Sequence, residues 1–296
     1  MIQQQPGMAE RRIAFPLVFL LLVAFVPTAA AAQTGSAQGM VQAAAGELWL
    51  IPSPQPGISM RATFFRPPGK GPYPLVLINH GSVEDADQRA LAGMPSFPAL
   101  TAWFTARGYA VLVPQRPGHG KTGGKYAESE GACASPDFVR AGEAAADSIA
   151  AAIAFMVRQP FIKPTGIVVV GNSAGGWGAM ALAGRNPRGV VAIIGFAPGR
   201  GGRQHGLANN NCAPGRLVEA AARFGAKARI RTLWLYAAND TYFPPKLSGR
   251  LAAAFARSGG KAEYHLLPPV GREGHGLIQA PSAIWGPAVE QFLAGR

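Results

Sequence analysis

Short apolar segments alternate with helix-like segments along most of this chain, and this alternation limits the possible folds more than any other feature. Residues 75–78 and 190–194 are uninterrupted apolar runs, as in parallel strands that are covered on both faces. Residues 137–158 instead place apolar side chains at helical spacing, and Pro160 ends that pattern. Strands that alternate with helices indicate βαβ units, so the sequence predicts an α/β domain with a largely parallel sheet.

The predicted strands are short and rich in β-branched or aromatic residues, and they comprise residues 47–51, 59–66, 75–79, 109–114, 166–170, 190–195, 232–237 and 262–267. The first two alternate apolar and polar residues, which favours a half-exposed antiparallel edge. The predicted helices comprise residues 97–107, 137–158, 174–185, 216–224, 245–258 and 281–293. With 48% hydrophobic and 15% charged residues, the 296-residue chain fits one α/β domain over residues 46–296 and excludes a disordered or fibrous protein.

The pentapeptide Gly171-Asn172-Ser173-Ala174-Gly175 joins a predicted strand directly to a predicted helix. The pattern Gly-x-Ser-x-Gly is weak evidence alone, but this context is specific. Side chains on either side of so sharp a turn would collide, and the two outer glycines remove that collision. The amino end of the following helix favours developing negative charge. We therefore predict that Ser173 is a nucleophile; a glycine-rich turn without chemistry is the alternative.

A nucleophilic serine needs a base, and histidine suits this role because its ordinary pKa lies near neutrality. His275 lies in a glycine-rich loop after the last predicted strand, which places it at the carboxyl edge of the sheet. Asp240 follows the strand 232–237 at the same edge, where a carboxylate can accept the second imidazole N–H. The sequence thus predicts a catalytic group of Ser173, Asp240 and His275.

When the serine attacks a carbonyl carbon, negative charge develops on the carbonyl oxygen of the substrate. This oxyanion needs N–H donors. The amide of Ala174 follows the nucleophile, and a second donor is expected from the loop Asn79-His80-Gly81-Ser82 after the third strand. We predict that Ser82 or Gly81 supplies that amide and that His80 is a structural hydrogen-bonding residue. Such a donor is typically worth roughly 3 kcal/mol of transition-state stabilisation.

With these residues in place, the chain from about Glu47 to Leu293 resembles the α/β-hydrolase superfamily, especially its dienelactone-hydrolase-like and small esterase branches. The motifs that carry the resemblance are Asn79-His80-Gly81-Ser82, Arg116-Pro117-Gly118-His119-Gly120, residues 171–176, Asn239-Asp240 and Gly274-His275-Gly276. The order serine, aspartate, histidine also fits. The resemblance implies an eight-stranded sheet with an antiparallel second strand, and cofactor-free hydrolysis through an acyl-enzyme. Dienelactone hydrolases proper use a cysteine nucleophile, so their substrate is not carried over.

The substrate pocket is less well determined by sequence. The segment 196–231 is too short for a large lid domain. Trp177, Tyr242 and Phe243 lie close to the predicted site along the chain, and His205 lies in a nearby loop. We consider them substrate-binding candidates, although large aromatic side chains are as often part of a core.

The first 32 residues have the features of an export signal. Arg11 and Arg12 precede an apolar run, and Ala30-Ala31-Ala32 provides a small-residue cleavage site. The sequence predicts a cleaved signal peptide (residues 1–32), a flexible lead-in (33–45) and a periplasmic or secreted protein. The general export route is favoured over the twin-arginine route, and an uncleaved membrane anchor is the alternative.

The chain has two cysteines, Cys133 and Cys212, which lie in two long irregular segments. An even pair in an oxidising compartment favours one disulfide, which would contribute on the order of 4 kcal/mol in the chain-entropy model. Two free thiols are the alternative.

The net charge is +13, but the arginines are scattered, with no basic stretch of the kind that binds nucleic acid. Residues 118–123 match Gly-x-Gly-x-x-Gly, yet the next predicted helix begins only at Asp137, which argues against a dinucleotide site. No metal-binding motif is present. We therefore predict no cofactor, no metal, no nucleic-acid partner and no membrane span after signal cleavage.

The function predicted from sequence is hydrolysis of a small-molecule carboxylic ester through an acyl-enzyme. A serine peptidase or amidase of the prolyl-oligopeptidase type is the second possibility, because it uses the same three side chains. A non-catalytic envelope-binding protein on this fold is the third.

Overall fold

One eight-stranded sheet forms the centre of the domain in the computed structural model, which describes residues 46–295. The strands are β1 Glu47–Pro52, β2 Ser59–Phe65, β3 Leu75–Asn79, β4 Ala110–Pro114, β5 Ile167–Asn172, β6 Val190–Phe196, β7 Arg231–Ala237 and β8 Lys261–Leu267. Their order in the sheet is β1-β2-β4-β3-β5-β6-β7-β8. Strand β2 is antiparallel to both its neighbours and the remaining pairs are parallel, which confirms the predicted architecture.

Seven α-helices are described: α1 Ala86–Ala90, α2 Pro98–Thr105, α3 Phe138–Met156, α4 Ser173–Ala183, α5 Pro214–Lys227, α6 Pro245–Arg257 and α7 Ser282–Ala294. Six of them were predicted with small differences at their ends, and α1 was not. The Asp85 carboxylate caps α1 by accepting the Gln88 N–H at 2.7 Å. Between β6 and β7 lie a loop with one 3₁₀ turn (Gln204–Gly206) and α5, so the prediction that no large lid domain is present is confirmed for the described residues.

Helices cover both faces of the sheet, which is why the central strands are apolar throughout. Alternate residues of one strand point to opposite faces. In β3, Leu75 and Leu77 belong to the core cluster that packs against α3, α4, α5 and α6, whereas Val76 and Ile78 belong to the cluster that packs against α2 and α7. All four side chains are fully buried.

A disulfide joins Cys133 to Cys212, whose Cα atoms lie 5.3 Å apart. It connects the irregular segment after β4 to the one after β6. Both segments contribute to the cavity described below, so the disulfide ties together two parts of its wall.

The predicted signal peptide and lead-in lie outside the described residues. Within residues 46–295, the structure contains no helix that is long and apolar enough to cross a lipid bilayer.

Candidate active site

Ser173 occupies the turn between β5 and α4 and is the first residue of the helix. Its backbone φ is +51°, in the left-handed region that non-glycine residues seldom adopt. A residue held in this way at a sharp turn commonly marks a functional position.

Close backbone approach explains both glycines of the turn. A Cβ atom on Gly171 would lie 2.4 Å from the Gly175 carbonyl oxygen, and one on Gly175 would lie 2.3 Å from the His80 carbonyl oxygen. The helix can therefore start at once and pack against the loop after β3 only because neither position carries a side chain.

The imidazole of His275 pairs with a buried carboxylate. His275 lies in a 3₁₀ segment, Gly274–Gln279, and its Nδ1 donates to Oδ2 of Asp240 at 3.2 Å. The Asp240 side chain is 0% exposed, and its Oδ1 accepts the backbone N–H groups of Tyr242 and Phe243 at 2.8 and 2.9 Å. These two donors fix the carboxylate plane, which in turn orients the imidazole.

Two aromatic rings surround His275. Tyr242 stacks on the imidazole, with ring centroids 4.1 Å apart and an interplanar angle of 19°, and Phe243 lies at 5.5 Å. Both rings also line the cavity, as sequence position suggested.

Ser173 and His275 line the same cavity, whose volume is about 760 Å³. No hydrogen bond joins the two side chains in the part of the chain that the structure describes. Catalytic hydrogen bonds are often long in a free enzyme and shorten when substrate is bound. The cavity volume falls within the range of ligand-binding pockets.

The loop after β3 passes directly beside the nucleophile. A Cβ atom on Gly81 would lie 3.3 Å from the Ser173 Cβ. Within residues 46–295, the amides of Gly81 and Ser82 donate no hydrogen bond to a loop or turn carbonyl, and the amide of Ala174 lies in the first turn of α4, where N–H groups have no intrahelical acceptor. Ser82 and Ala174, the predicted oxyanion donors, both line the cavity.

His80 is held by its own loop. Its Nε2 accepts the Arg116 backbone N–H at 3.0 Å, and its Nδ1 donates to the Gly81 carbonyl at 2.5 Å. Burial, and then the charge of Arg116, lower the pKa of His80 well below its ordinary value. A neutral imidazole with both nitrogens engaged fits a structural residue.

A buried ionic network lies behind this loop. Arg116 forms a bidentate pair with Glu128 at 2.6 and 3.1 Å. Arg200 contacts Glu128 at 2.8 Å and Glu130 at 3.3 Å. The four side chains are at most 6% exposed, so two guanidinium groups and two carboxylates balance each other inside the protein.

Two predictions about the pocket are wrong. Trp177 is fully buried, donates from Nε1 to the Phe138 carbonyl and packs on Phe224, so it is part of the core and not of the cavity. Helix α4 is buried on all sides, so standing one turn from Ser173 does not place a side chain in the cavity. His205 is exposed in a 3₁₀ turn and does not line the cavity either.

Sequence reasoning gave no role in the site to Arg200, which lines the cavity, or to Tyr126, which contacts it, and it named His119 only as part of a motif. His119 hydrogen-bonds the Ser82 hydroxyl, and Tyr126 lies between Ser82 and Arg200. The sequence feature that could have indicated them is the glycine-rich loop 118–124, which is followed by Tyr126, Glu128 and Glu130. No helix opens within that loop, which contains only a 3₁₀ turn at Gly120–Thr122.

Ser173 lies on a strained strand-to-helix turn and lines the same cavity as the His275–Asp240 pair. On a sheet of this topology, that arrangement is typical of α/β hydrolases. The match to a family model agrees: residues 95–198, about a third of the chain, match the prolyl oligopeptidase family. The chain has the α/β-hydrolase fold. No curated protein matches it significantly in sequence.

Solved structures with this fold include both esterases and peptidases. Esterase Pf2001 from Pyrococcus furiosus is 16% identical with a TM-score of 0.59, over 84% of this chain and 92% of that one. A Klebsiella pneumoniae protein named as a dienelactone hydrolase is 15% identical with a TM-score of 0.56, over 84% and 97%. A puromycin-hydrolyzing peptidase from Mycobacterium tuberculosis is 20% identical with a TM-score of 0.56, over 85% of this chain but 38% of that one.

Proposed function

We propose that this protein is a serine esterase that cleaves a small or medium-sized carboxylic ester through an acyl-enzyme, with Ser173, His275 and Asp240 as its catalytic residues. The observation that carries the proposal is the buried Asp240–His275 pair in the cavity that Ser173 also lines. The match of residues 95–198 to a family of hydrolases and the fold shared with esterases and peptidases support an enzyme rather than a passive binding protein.

In the first step, His275 removes the Ser173 proton while the hydroxyl oxygen attacks the ester carbonyl carbon. Asp240 holds the Nδ1 proton, so Nε2 is free to act as base, and the carboxylate then stabilises the imidazolium. The imidazolium gives its proton to the departing alkoxide, which leaves as the alcohol. A water molecule repeats the sequence and releases the carboxylic acid.

The tetrahedral oxygen needs donors that are already oriented. The amides of Ala174 and Ser82 are suited to this role because both residues line the cavity; the Ser82 amide donates to no loop or turn carbonyl among the described residues, and the Ala174 amide lies in the first turn of α4, where N–H groups are not used within the helix. The amino end of α4 adds a favourable partial charge.

A peptidase or amidase is the second candidate, and the match of residues 95–198 to the prolyl oligopeptidase family favours it. A panel of p-nitrophenyl esters of increasing acyl length, compared with aminoacyl p-nitroanilides, distinguishes the two. We expect kcat/KM to be larger for the esters and to vanish in Ser173→Ala. Faster anilide cleavage would favour the peptidase, and no Ser173-dependent turnover of either would favour a binding protein.

We also propose export to the periplasm or the medium. The apolar run after Arg12 and the Cys133–Cys212 disulfide support an oxidising compartment. Intact-mass measurement of the protein expressed with its full leader tests this: a mature chain that begins near Gln33 is expected, and a full-length chain retained in the cytoplasm would contradict it.

A further inference from the structure

A row of hydrogen-bonded side chains runs behind the loop that carries the candidate oxyanion donor. It consists of Arg200, Tyr126, Ser82 and His119. The Tyr126 hydroxyl lies 3.0 Å from Nη1 of Arg200 and 3.0 Å from the Ser82 hydroxyl, which lies 2.8 Å from Nε2 of His119. Nothing in the catalytic steps above uses these hydroxyl groups.

The two ends of the row determine the direction of every proton in it. A guanidinium can only donate, so the Tyr126 oxygen accepts from Arg200. At the other end, Nδ1 of His119 lies 3.2 Å from the carbonyl oxygens of Arg116 and Pro117, which can only accept. Nδ1 therefore carries the proton of the neutral ring, and Nε2 is an acceptor.

It follows that Ser82 donates to His119 and that Tyr126 donates to Ser82. Another acceptor for the Ser82 hydroxyl, the Val83 carbonyl, is more distant at 3.4 Å. The Tyr126 ring is itself fixed, because the Arg89 guanidinium lies 3.7 Å from its centroid and His119 packs against it edge-on. The Ser82 side chain thus has one orientation that satisfies all its neighbours.

The backbone of the loop that carries Ser82 is held by a second set of hydrogen bonds. His80 Nδ1 donates to the Gly81 carbonyl, and Nη1 of Arg116 donates to the His80 carbonyl at 2.8 Å. A trans peptide directs its N–H opposite to its C=O. Fixing the Gly81 carbonyl therefore also fixes the direction of the Ser82 N–H.

We propose that Tyr126, His119 and the Ser82 hydroxyl are positioning residues that hold the Ser82 amide in place for the oxyanion. This inference rests on the proposed function. It assigns two separate roles to Ser82. The amide binds the developing negative charge, and the hydroxyl, through its hydrogen bonds to Tyr126 and His119, holds the residue so that the amide keeps its position.

Two substitutions test the anchor without removing the amide. Tyr126→Phe and Ser82→Ala should each lower kcat about tenfold and leave KM within about twofold, because a displaced donor weakens only transition-state binding. The double variant should be no slower than either single variant, since both break the same row. The affinity for phenylboronic acid, which forms a tetrahedral adduct with the serine, should fall by the same factor as kcat.

A matched control is available elsewhere in the chain. The hydroxyls of Tyr264 and Ser248 also lie 3.0 Å apart, and neither residue lines the cavity. Tyr264→Phe should leave kcat and boronate affinity unchanged, and thermal unfolding of each variant verifies that it is folded.

Three results would overturn the inference: a Tyr126→Phe variant as active as Tyr264→Phe, a change in KM alone, or single effects that multiply in the double variant. Absence of Ser173-dependent turnover in the wild type would instead refute the proposed function. The two failures are therefore distinguishable.

Discussion

Three histidines line the cavity, and two of them, His119 and His275, lie in clearly different chemical settings. His275 has the Asp240 carboxylate at its Nδ1, whereas His119 has only two backbone carbonyls there. His119 also lies close to the positive charge of Arg116. Burial, and then that charge, lower the pKa of His119 to about 4.

The difference shows how the groups around an imidazole decide whether it can act as a base. A base must accept a proton and be stabilised afterwards, which a carboxylate partner does and a pair of neutral carbonyls beside a guanidinium does not. His119 therefore serves as a fixed acceptor for Ser82, and His275 is the candidate base. Below, the surroundings of His119, with Ser82, Tyr126, Arg200 and Glu128, are called the His119 end of the cavity.

The largest expected effect distinguishes the two imidazoles directly. His275→Ala should lower kcat by about 10⁴, because the serine loses its base. His119→Ala should lower it by no more than about 100-fold, because only the orientation of a donor is lost. Steady-state kinetics on a p-nitrophenyl ester measures both, and a larger loss in His119→Ala would reverse the assignment.

The buried charges at the His119 end should matter more for stability. Glu128→Gln leaves the guanidinium groups of Arg116 and Arg200 without their shared carboxylate, and we expect a loss of about 3–5 kcal/mol in the free energy of unfolding. Urea denaturation at neutral pH measures it. A loss below about 1 kcal/mol would mean that the network contributes little.

The same variant should change the acid dependence of stability. Burial raises the pKa of Glu128, but the charges of Arg116 and Arg200 lower it by more, so its folded-state pKa lies below the ordinary value of 4.5. A carboxyl with a lowered pKa contributes stability that is complete above its unfolded pKa and is lost as the pH falls through its folded pKa. The stability difference between wild type and Glu128→Gln should therefore shrink below about pH 4.5, and a constant difference would contradict the pairing.

The disulfide should contribute the next largest effect. Cys133 and Cys212 are 79 residues apart in sequence, and removing the bond by Cys133→Ser with Cys212→Ser should cost about 2–4 kcal/mol. Denaturation with and without a reductant tests this, and equal stability of the two wild-type samples would contradict it.

The smallest effects come from two glycines. Gly175→Ala should destabilise by about 1–3 kcal/mol and reduce kcat, because its Cβ would meet the His80 carbonyl at 2.3 Å. Gly249→Ala, in α6 with no atom near its Cβ, should instead stabilise by about 0.5–1 kcal/mol. Thermal unfolding of the pair is the measurement, and equal behaviour would argue against a tight turn at Ser173.

Local sequence signals were sufficient for the sheet and for the residues around the proposed nucleophile. Continuous apolar runs predict strands covered on both faces, and the glycines beside Ser173 predict the turn. Asp240 and His275 could be chosen because each follows a strand, and the carboxyl ends of parallel strands meet at one edge.

The residues at the His119 end of the cavity could not be predicted in this way. The Ser82–His119 contact spans 37 residues and the Glu128–Arg200 contact spans 72. Both depend on how two irregular segments pack, and no periodic pattern specifies that packing. The prediction for Trp177 was wrong for a related reason. Helix α4 is apolar and buried on every side, so its sequence does not indicate which of its faces borders a cavity.

Mass-spectrometric peptide mapping after exposure to a fluorophosphonate tests the central claim most directly, because the cavity contains two candidate serines: Ser173, which shares the cavity with His275, and Ser82, which hydrogen-bonds His119. We expect a single adduct on Ser173, absent in Ser173→Ala, much slower in His275→Ala and only modestly slower in His119→Ala. An adduct on Ser82, or labelling that persists in Ser173→Ala, would contradict the claim.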